Sequence, residues 1–263
     1  GDLLKMITAA FESNGKNITS LTIDDLAPVD EFHIGGRAAS DHFFEQLDFT
    51  PGQKVLDVGC GLGGPARHVA STFTQQVTGI DLTDEYVATG NVLSGWLAMG
   101  EQVNLVQGSA LDMPFEQSVF DRAYMMHVGM NIQDKTTLFE EVYRVLDDRA
   151  IFGIYDVMRD QDGELTYPVP WASDKKSSEL ATVAQYTQLL QQAGFEILTT
   201  NNRRDFALEF FKQLAQRNKQ SGSAPAVGLH LLMQGSAKDK LRNMVANVTN
   251  NLICPVEIIA RKV

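Results

Sequence analysis

Apolar positions along the chain follow two alternating rhythms. Short apolar runs over 54–58, 76–81, 103–107, 120–126 and 150–157 read as strands. Between them, apolar residues recur at helical spacing over 62–72, 83–99, 135–146 and 183–193. In the third of these helices Leu138, Val142, Val145 and Leu146 share one face. Thr83 is placed to cap its helix, Glu85 sits near the positive end of the dipole, and Gly194 stops the helix before it. Two further strands are expected over 195–199 and 256–260. Strand and helix in strict alternation predict an α/β fold, a doubly wound, seven-stranded, mostly parallel sheet.

Two segments break the rhythm. Residues 159–182 are long, polar and hold Pro168, Pro170 and Trp171; a connection of that length inside a compact domain reads as a lid. Residues 205–252 read as two amphipathic helices around a Ser-Gly-Ser-Ala-Pro turn at 221–225, a helical cap inserted between the last two strands. Residues 1–50 also look helical. One domain over 1–263 is expected, with its ligand-binding core over 51–158.

Composition narrows the function classes. The 263 residues are 44% hydrophobic, enough for a sizeable core. No apolar run reaches the ~20 residues that span a bilayer, and residues 1–11 carry no basic region of the kind that opens a signal peptide. Gly1 reads as an expression remnant, and a cytoplasmic location is expected. The net charge of −11 argues against a nucleic-acid partner. The two cysteines, Cys60 and Cys254, form no framework, and the five histidines lack metal-ligand spacing, so no metal is expected.

The chemistry concentrates in the run Val55-Leu56-Asp57-Val58-Gly59-Cys60-Gly61-Leu62-Gly63-Gly64. A strand feeds a glycine turn that opens a helix, and Gly59, Gly61 and Gly63 permit positive φ and close approach of a ligand. Gly59, Gly61 and Gly64 also fit the spacing of a dinucleotide fingerprint. Three features separate the readings. Asp57 lies in the strand, where an acid is ill-suited to a pyrophosphate but suits a cationic ligand, or fixes the glycine loop through backbone N–H groups. Asp81 ends the second strand, where a carboxylate accepts both hydroxyls of a ribose. The stretch Gly108-Ser109-Ala110-Leu111-Asp112-Met113-Pro114-Phe115 follows the third strand and can flank an adenine.

Taken together, VLDVGCGLGG, GIDLT, GSALDMPF and FDRAYMMHVGMNI resemble the class I S-adenosylmethionine-dependent methyltransferases. The likeness runs from about Asp30 onward and is to the branch of quinone C-methyltransferases and of sarcosine/dimethylglycine and phosphoethanolamine N-methyltransferases. The segments at 167–172 and 228–233 look like a bacterial subset of that branch. The resemblance implies a Rossmann-like methyltransferase fold and S-adenosylmethionine as cofactor, with S-adenosylhomocysteine as product. It implies that Gly59, Gly61 and Gly63 pass beneath the cofactor, that Asp81 holds the ribose, that Leu82 packs on the adenine, and that Ser109 and Ala110 line the adenine edge. Many relatives carry Asp where this chain has Ser109. Met126 and His127 are expected near the methionine moiety. The run Phe32-His33-Ile34-Gly35-Gly36-Arg37 resembles the segment that closes over the cofactor, with Arg37 placed to pair with its carboxylate.

Methyl transfer from a sulfonium is an in-line displacement, helped by orientation and by exclusion of water. His127 and then His33 are the candidate proton acceptors; a positioning role for His127 stays open. Tyr155, Tyr167 and Trp171 are candidates for an aromatic acceptor wall, suited to a flat ring or an ammonium. The acceptor is expected to be a small molecule, whether amine, phenol, quinone or activated carbon. Two other readings remain: a module that binds S-adenosylmethionine without catalysis, and an NAD-dependent oxidoreductase. Apolar residues on more than one side of the cap helices allow a homodimer.

Overall fold

The computed structural model describes residues 2–221, 228, 231 and 236–263. Most of the turn expected at 221–225 and most of the 228–233 segment therefore lie outside the described residues. The strands are β1 (Lys54–Val58), β2 (Gln76–Asp81), β3 (Val103–Gln107), β4 (Phe120–Met126), β5 (Leu146–Arg159), β6 (Phe195–Asn202) and β7 (Ile253–Lys262). They form one sheet in the order β3-β2-β1-β4-β5-β7-β6. β1 to β5 run parallel, and β7 is antiparallel to both β5 and β6. This is the doubly wound, seven-stranded, mostly parallel sheet that the alternation predicts.

Three strands are longer than the sequence pattern suggests: β6 runs on to Asn202, paired with Val256 of β7, and β5 and β7 are extended for tertiary reasons. β5 begins at Leu146, expected as a helix end, because Leu146 pairs with Phe120 across a bulge. β7 begins at Ile253, before Pro255. A proline reads as a strand boundary, yet this strand is held on both sides, pairing from Ile253 against Arg159 of β5.

The helices are α1 (Asp2–Ser13), α2 (Ile23–Asp30), α3 (Gly36–Phe44), α4 (Gly64–Phe73), α5 (Asp84–Trp96), α6 (Lys135–Val145), α7 (Val183–Gln192), α8 (Arg204–Ser221) and α9 (Ala237–Thr249). On one sheet face α6 and α7 bury Leu138, Phe139, Val142, Tyr186 and Leu190 against Met125, Phe152 and Ile154. On the other, α3, α4 and α5 bury Phe43, Phe44, Ala66, Val69 and Val87 against Val55, Tyr124 and Tyr155. Thr83 stands at the start of α5, but its side chain makes no capping bond. Glu85 instead accepts the Leu3 N–H of α1 at 3.2 Å.

The N-terminal helices are docked. Leu3, Ile7 and Phe11 of α1 pack with Leu26 and Val29 of α2 and Leu93 of α5. Arg67 of α4 is fully buried and donates to Asp30 Oδ2 (2.6 Å), Leu62 O (2.7 Å), Ser94 Oγ (3.0 Å) and Gly90 O (3.2 Å). That buried pair clamps the end of α2 to the helix that follows the glycine loop. The segment expected as a lid is tied to α9: Asn247 exchanges two hydrogen bonds with Thr166, and Asn243 donates to Pro168 O. Trp171 joins the apolar cluster of Val157, Phe211, Met244 and Val248 beneath the cap. No helix among the described residues is long and apolar enough to cross a membrane.

Candidate cofactor and active site

The chain leaves β1 toward β2 and β3, then returns to lay β4 on the other side of β1. Strand order reverses there, and in open α/β sheets the crevice at the carboxyl ends of such strands binds ligands. Gly59, Gly61 and Gly63 sit in this crevice at φ of 75°, 53° and 77°. Neighbouring strands hold the loop open: the N–H groups of Gly59 and Cys60 donate to Ile80 O (2.8 and 3.0 Å), and Gly61 N–H donates to Asp81 Oδ2 (2.9 Å). Asp81 Oδ1 accepts Thr83 N–H at 2.9 Å. Each carboxylate oxygen has a further lone pair for a ribose hydroxyl. Next to it, Leu82 is 72% exposed, an apolar side chain with no protein cover.

The segment that joins α2 to α3 lies over this loop. A Cβ on Gly61 would come within 3.2 Å of the Phe32 ring, and one on Gly59 within 2.3 Å of Val128. Positive φ favours glycine at both places, and at Gly59 space requires it as well. Tyr155 pins the same segment from below by donating to Ile34 O at 2.9 Å. Tyr155 is fully buried, so it is a strut beneath the closing segment and not the open acceptor wall expected of it.

Behind Phe32 is a polar cluster in the interior. Ser40 donates to Glu31 Oε2 at 2.7 Å, and His33 Nε2 lies 3.2 Å from the same oxygen, 3.0 Å from Ser40 Oγ and 3.1 Å from Gly36 O. Arg37 reaches Glu31 Oε1 at 3.1 Å. No guanidinium nitrogen of Arg37 makes an aligned hydrogen bond, although all three are shielded from solvent. A forked cation in that state is suited to a ligand carboxylate.

His127 follows β4 at φ 57°, in the left-handed region that is unusual for a residue other than glycine. Its N–H donates to Tyr155 O at 2.8 Å. Its Nε2 is buried with no partner, and its ring lies 5.2 Å from Tyr155 and 6.1 Å from His33, centre to centre. Burial, and then the neighbouring His33, hold the His127 imidazole well below its ordinary range. Burial likewise brings His33 down to about 4. Both rings are therefore neutral at physiological pH and keep a lone pair, although burial disfavours their protonated forms.

Asp57 is buried beside the Tyr124 hydroxyl, and burial pushes its carboxyl up to about 8. It accepts no N–H from the glycine loop, whose donors go to Ile80, Asp81 and, from Gly63, to Cys60 O. Loop fixing is thus the work of β2, which corrects one of the two roles expected for Asp57. The other, a place near a cation, fits an acid whose proton an approaching positive charge would release. Ser109 Oγ accepts Leu111 N–H at 3.1 Å and shapes the turn after β3, with Ala110 packed beside it on the core. Met126 is buried in the core under α3 and α4. Trp171 donates its indole N–H to Ser178 Oγ at 3.0 Å, and Tyr167 is half-buried in the same lid.

The structure thus brings Phe32, His33, Arg37, Asp57, the three glycines, Asp81, Leu82 and His127 to the carboxyl edge of β1, β2 and β4. Sequence reasoning missed Glu31, Ser40, Asp30 and Arg67. The adjacent acids Asp30-Glu31 just ahead of the closing segment were the available signal. Two clefts, of about 610 Å³ near Arg149 and Arg261 and about 420 Å³ near Lys135 and Gln188, are lined by none of these residues.

Residues 56–154 match the family model described as a methyltransferase domain. A sterol 24-C-methyltransferase from Eremothecium gossypii is 30% identical over 175 residues, which is 64% of this chain and 47% of that protein. Phosphoethanolamine N-methyltransferase 3 of Arabidopsis thaliana is 31% identical over 182 residues, 68% of this chain and 36% of that one. The chain spans less than half the length of either relative. Among solved structures, phosphoethanolamine N-methyltransferase 2 of Haemonchus contortus with S-adenosyl-L-methionine superposes with a TM-score of 0.76 at 20% identity, covering 96% of this chain and 59% of that one.

Proposed function

We infer from the class I methyltransferase domain that this chain carries over residues 56–154 that the protein transfers a methyl group from S-adenosylmethionine to a small-molecule acceptor. The observation that carries this reading is the crevice at β1, β2 and β4: a positive-φ glycine loop latched to Asp81, with the bare Leu82 beside it. A ribose diol suits the free lone pairs of Asp81, an adenine suits Leu82, and a carboxylate suits Arg37. Bound there, S-adenosylmethionine supplies an electrophilic methyl on a sulfonium. Phe32 and the docked N-terminal helices exclude water from the loop. His33 and His127, both neutral, are the groups able to receive the proton that an acidic acceptor loses.

The relatives act on sterols and on phosphoethanolamine, by their names, and for this chain the acceptor is a small molecule offering an amine, a phenol or quinone, or an activated carbon. Trp171 and Tyr167 in the docked lid, with the apolar cluster under the cap, favour a partly apolar acceptor pocket. Half-buried Phe210 on α8 favours pairing of two copies through the cap; a monomeric mass by light scattering at micromolar concentration would remove that idea. The free thiols of Cys60 and Cys254 fit a reducing, cytoplasmic compartment.

The test is titration calorimetry with S-adenosylhomocysteine, with NAD in parallel, followed by labelled methyl donor and a panel of amines, phenols and sterols. Micromolar binding of S-adenosylhomocysteine, none of NAD, and label in one acceptor class are expected. Saturable NAD binding instead would move the protein to the oxidoreductases, and binding without transfer to any acceptor would make it a non-catalytic module.

A further inference from the structure

Two buried histidine rings lie 6.1 Å apart beside the crevice, but only one has a carboxylate in contact. Among the described residues His127 has no carboxylate in contact; its Nε2 is unpartnered, and its ring neighbours are Tyr155 and His33. His33 has Glu31 at 3.2 Å from Nε2, with Ser40 bonded to the same oxygen. Donors and acceptors around Nε2 (Gly36 O, Ser40 Oγ and Glu31 Oε2) assign the ring proton to that nitrogen and leave Nδ1 with the lone pair. A carboxylate behind an imidazole fixes its tautomer and stabilises the imidazolium. Glu31 is not free to do so here, because Arg37 lies 3.1 Å from its other oxygen.

We propose that Arg37 is a cofactor-operated switch on this pair: the carboxylate of bound S-adenosylmethionine draws Arg37 off Glu31, and the bared Glu31 readies His33 to take the acceptor's proton. The inference rests on the reading of the crevice as a methyltransferase site. It uses the one feature that a purely structural Glu31–Arg37 pair leaves unexplained, a shielded guanidinium whose three nitrogens lack aligned partners. The acceptor's electron pair forms the bond to the methyl carbon. The sulfur–methyl bond breaks with its pair left on sulfur, and the acceptor's proton passes to His33 Nδ1, so the positive charge lost from sulfur reappears on the imidazolium. Without cofactor, burial and the Arg37 charge oppose that imidazolium, while the bond to Gly36 O and the Asp30 charge favour it. The groups that face His33 are Asp30 and Glu31 at the end of α2, Arg37 and Ser40 on α3, His127 after β4 and Tyr155 on β5. Of these only Arg37 is predicted to change partner when the cofactor's carboxylate arrives.

The test follows the His33 ring by NMR across pH in the full chain, assigned with His33→Asn, and needs no turnover. S-adenosylhomocysteine carries the carboxylate, whereas 5′-methylthioadenosine offers only the adenosine end. At calorimetric saturation S-adenosylhomocysteine is expected to move the His33 midpoint up by about one to two pH units, and 5′-methylthioadenosine to leave it in place. Arg37→Met should raise the midpoint without ligand and abolish the response; Arg37→Lys should restore part of it. An equal shift with both ligands, or saturation by S-adenosylhomocysteine without a shift, overturns the switch and leaves the cofactor reading intact. No binding of S-adenosylhomocysteine overturns both. The ligand comparison uses unaltered protein, so a variant that misfolds does not spoil it.

Discussion

Replacing Asp81 with Ala separates the two functions that its carboxylate serves. In the protein without ligand, Asp81 accepts two backbone N–H groups at 2.9 Å, one from Gly61 and one from Thr83. Gly61 is buried, so its N–H would lose its partner away from water, at a cost of about 1–3 kcal/mol. Thr83 is exposed and water takes over its bond at little cost. The fold should therefore weaken by about 1–3 kcal/mol, read as a lower urea midpoint at unchanged m-value. Binding loses a comparable amount. Hydrogen bonds from a ribose to a charged acceptor contribute about 1.5–3 kcal/mol, which corresponds to roughly 10- to 150-fold weaker S-adenosylhomocysteine binding. Calorimetry on the folded variant, well below its denaturation midpoint, measures that loss directly. Leu82→Ala serves as the companion, because it uncovers the adenine position without touching the loop. An Asp81→Ala protein that binds within threefold of the parent removes Asp81 from the site, and an unchanged urea midpoint contradicts the assigned latch.

Three further outcomes follow from the packing. Arg67→Met leaves Asp30 in the interior without its cation and should cost about 3–5 kcal/mol in urea denaturation; adding Asp30→Asn should recover much of it, and a near-neutral single variant would contradict the buried pair. Tyr155→Phe removes the bond to Ile34 O and should cost about 1 kcal/mol with faster amide exchange in residues 32–36; unchanged protection there would mean the strut does nothing. Burial raises Asp156 from 3.8 to about 7 while it accepts the Tyr186 hydroxyl at 2.6 Å. The native state then holds a proton that the unfolded chain releases, so this group's contribution is present below pH 3.8 and is lost as pH rises through about 7. Asp156→Asn should flatten the decline in stability between about pH 4 and 7, and a decline of the parent's size in the variant would refute the assignment.

Four of the parallel strands keep the bounds that their apolar runs suggest, because a strand covered on both faces announces itself locally. The edges were less legible. Leu146 has the spacing of the helix before it, and only the partner Phe120 across the bulge pulls it into β5. Pro255 hides the start of β7 because the pairing that tolerates it comes from strands far away in sequence. The site divides in the same way. The glycine loop, Asp81 and Leu82 are contiguous with their strands, so their meeting follows from strand order alone. Tyr155 looked like part of a pocket wall because an aromatic at a strand end has no mark that tells a free hydroxyl from one bonded to a carbonyl.

What the sequence alone determined is the alternation that makes the sheet and the short motifs at its strand ends, since both are set by neighbours within a few residues. The tertiary structure decided which side chains close the crevice: Phe32 over Gly61, Arg67 clamped to Asp30, and Glu31 shared between His33 and Arg37. These contacts join helices before the first strand to a loop after it. Their strength comes from burial, which turns ordinary surface residue types into charges and imidazoles with few partners to choose from, and burial is a property of the folded whole.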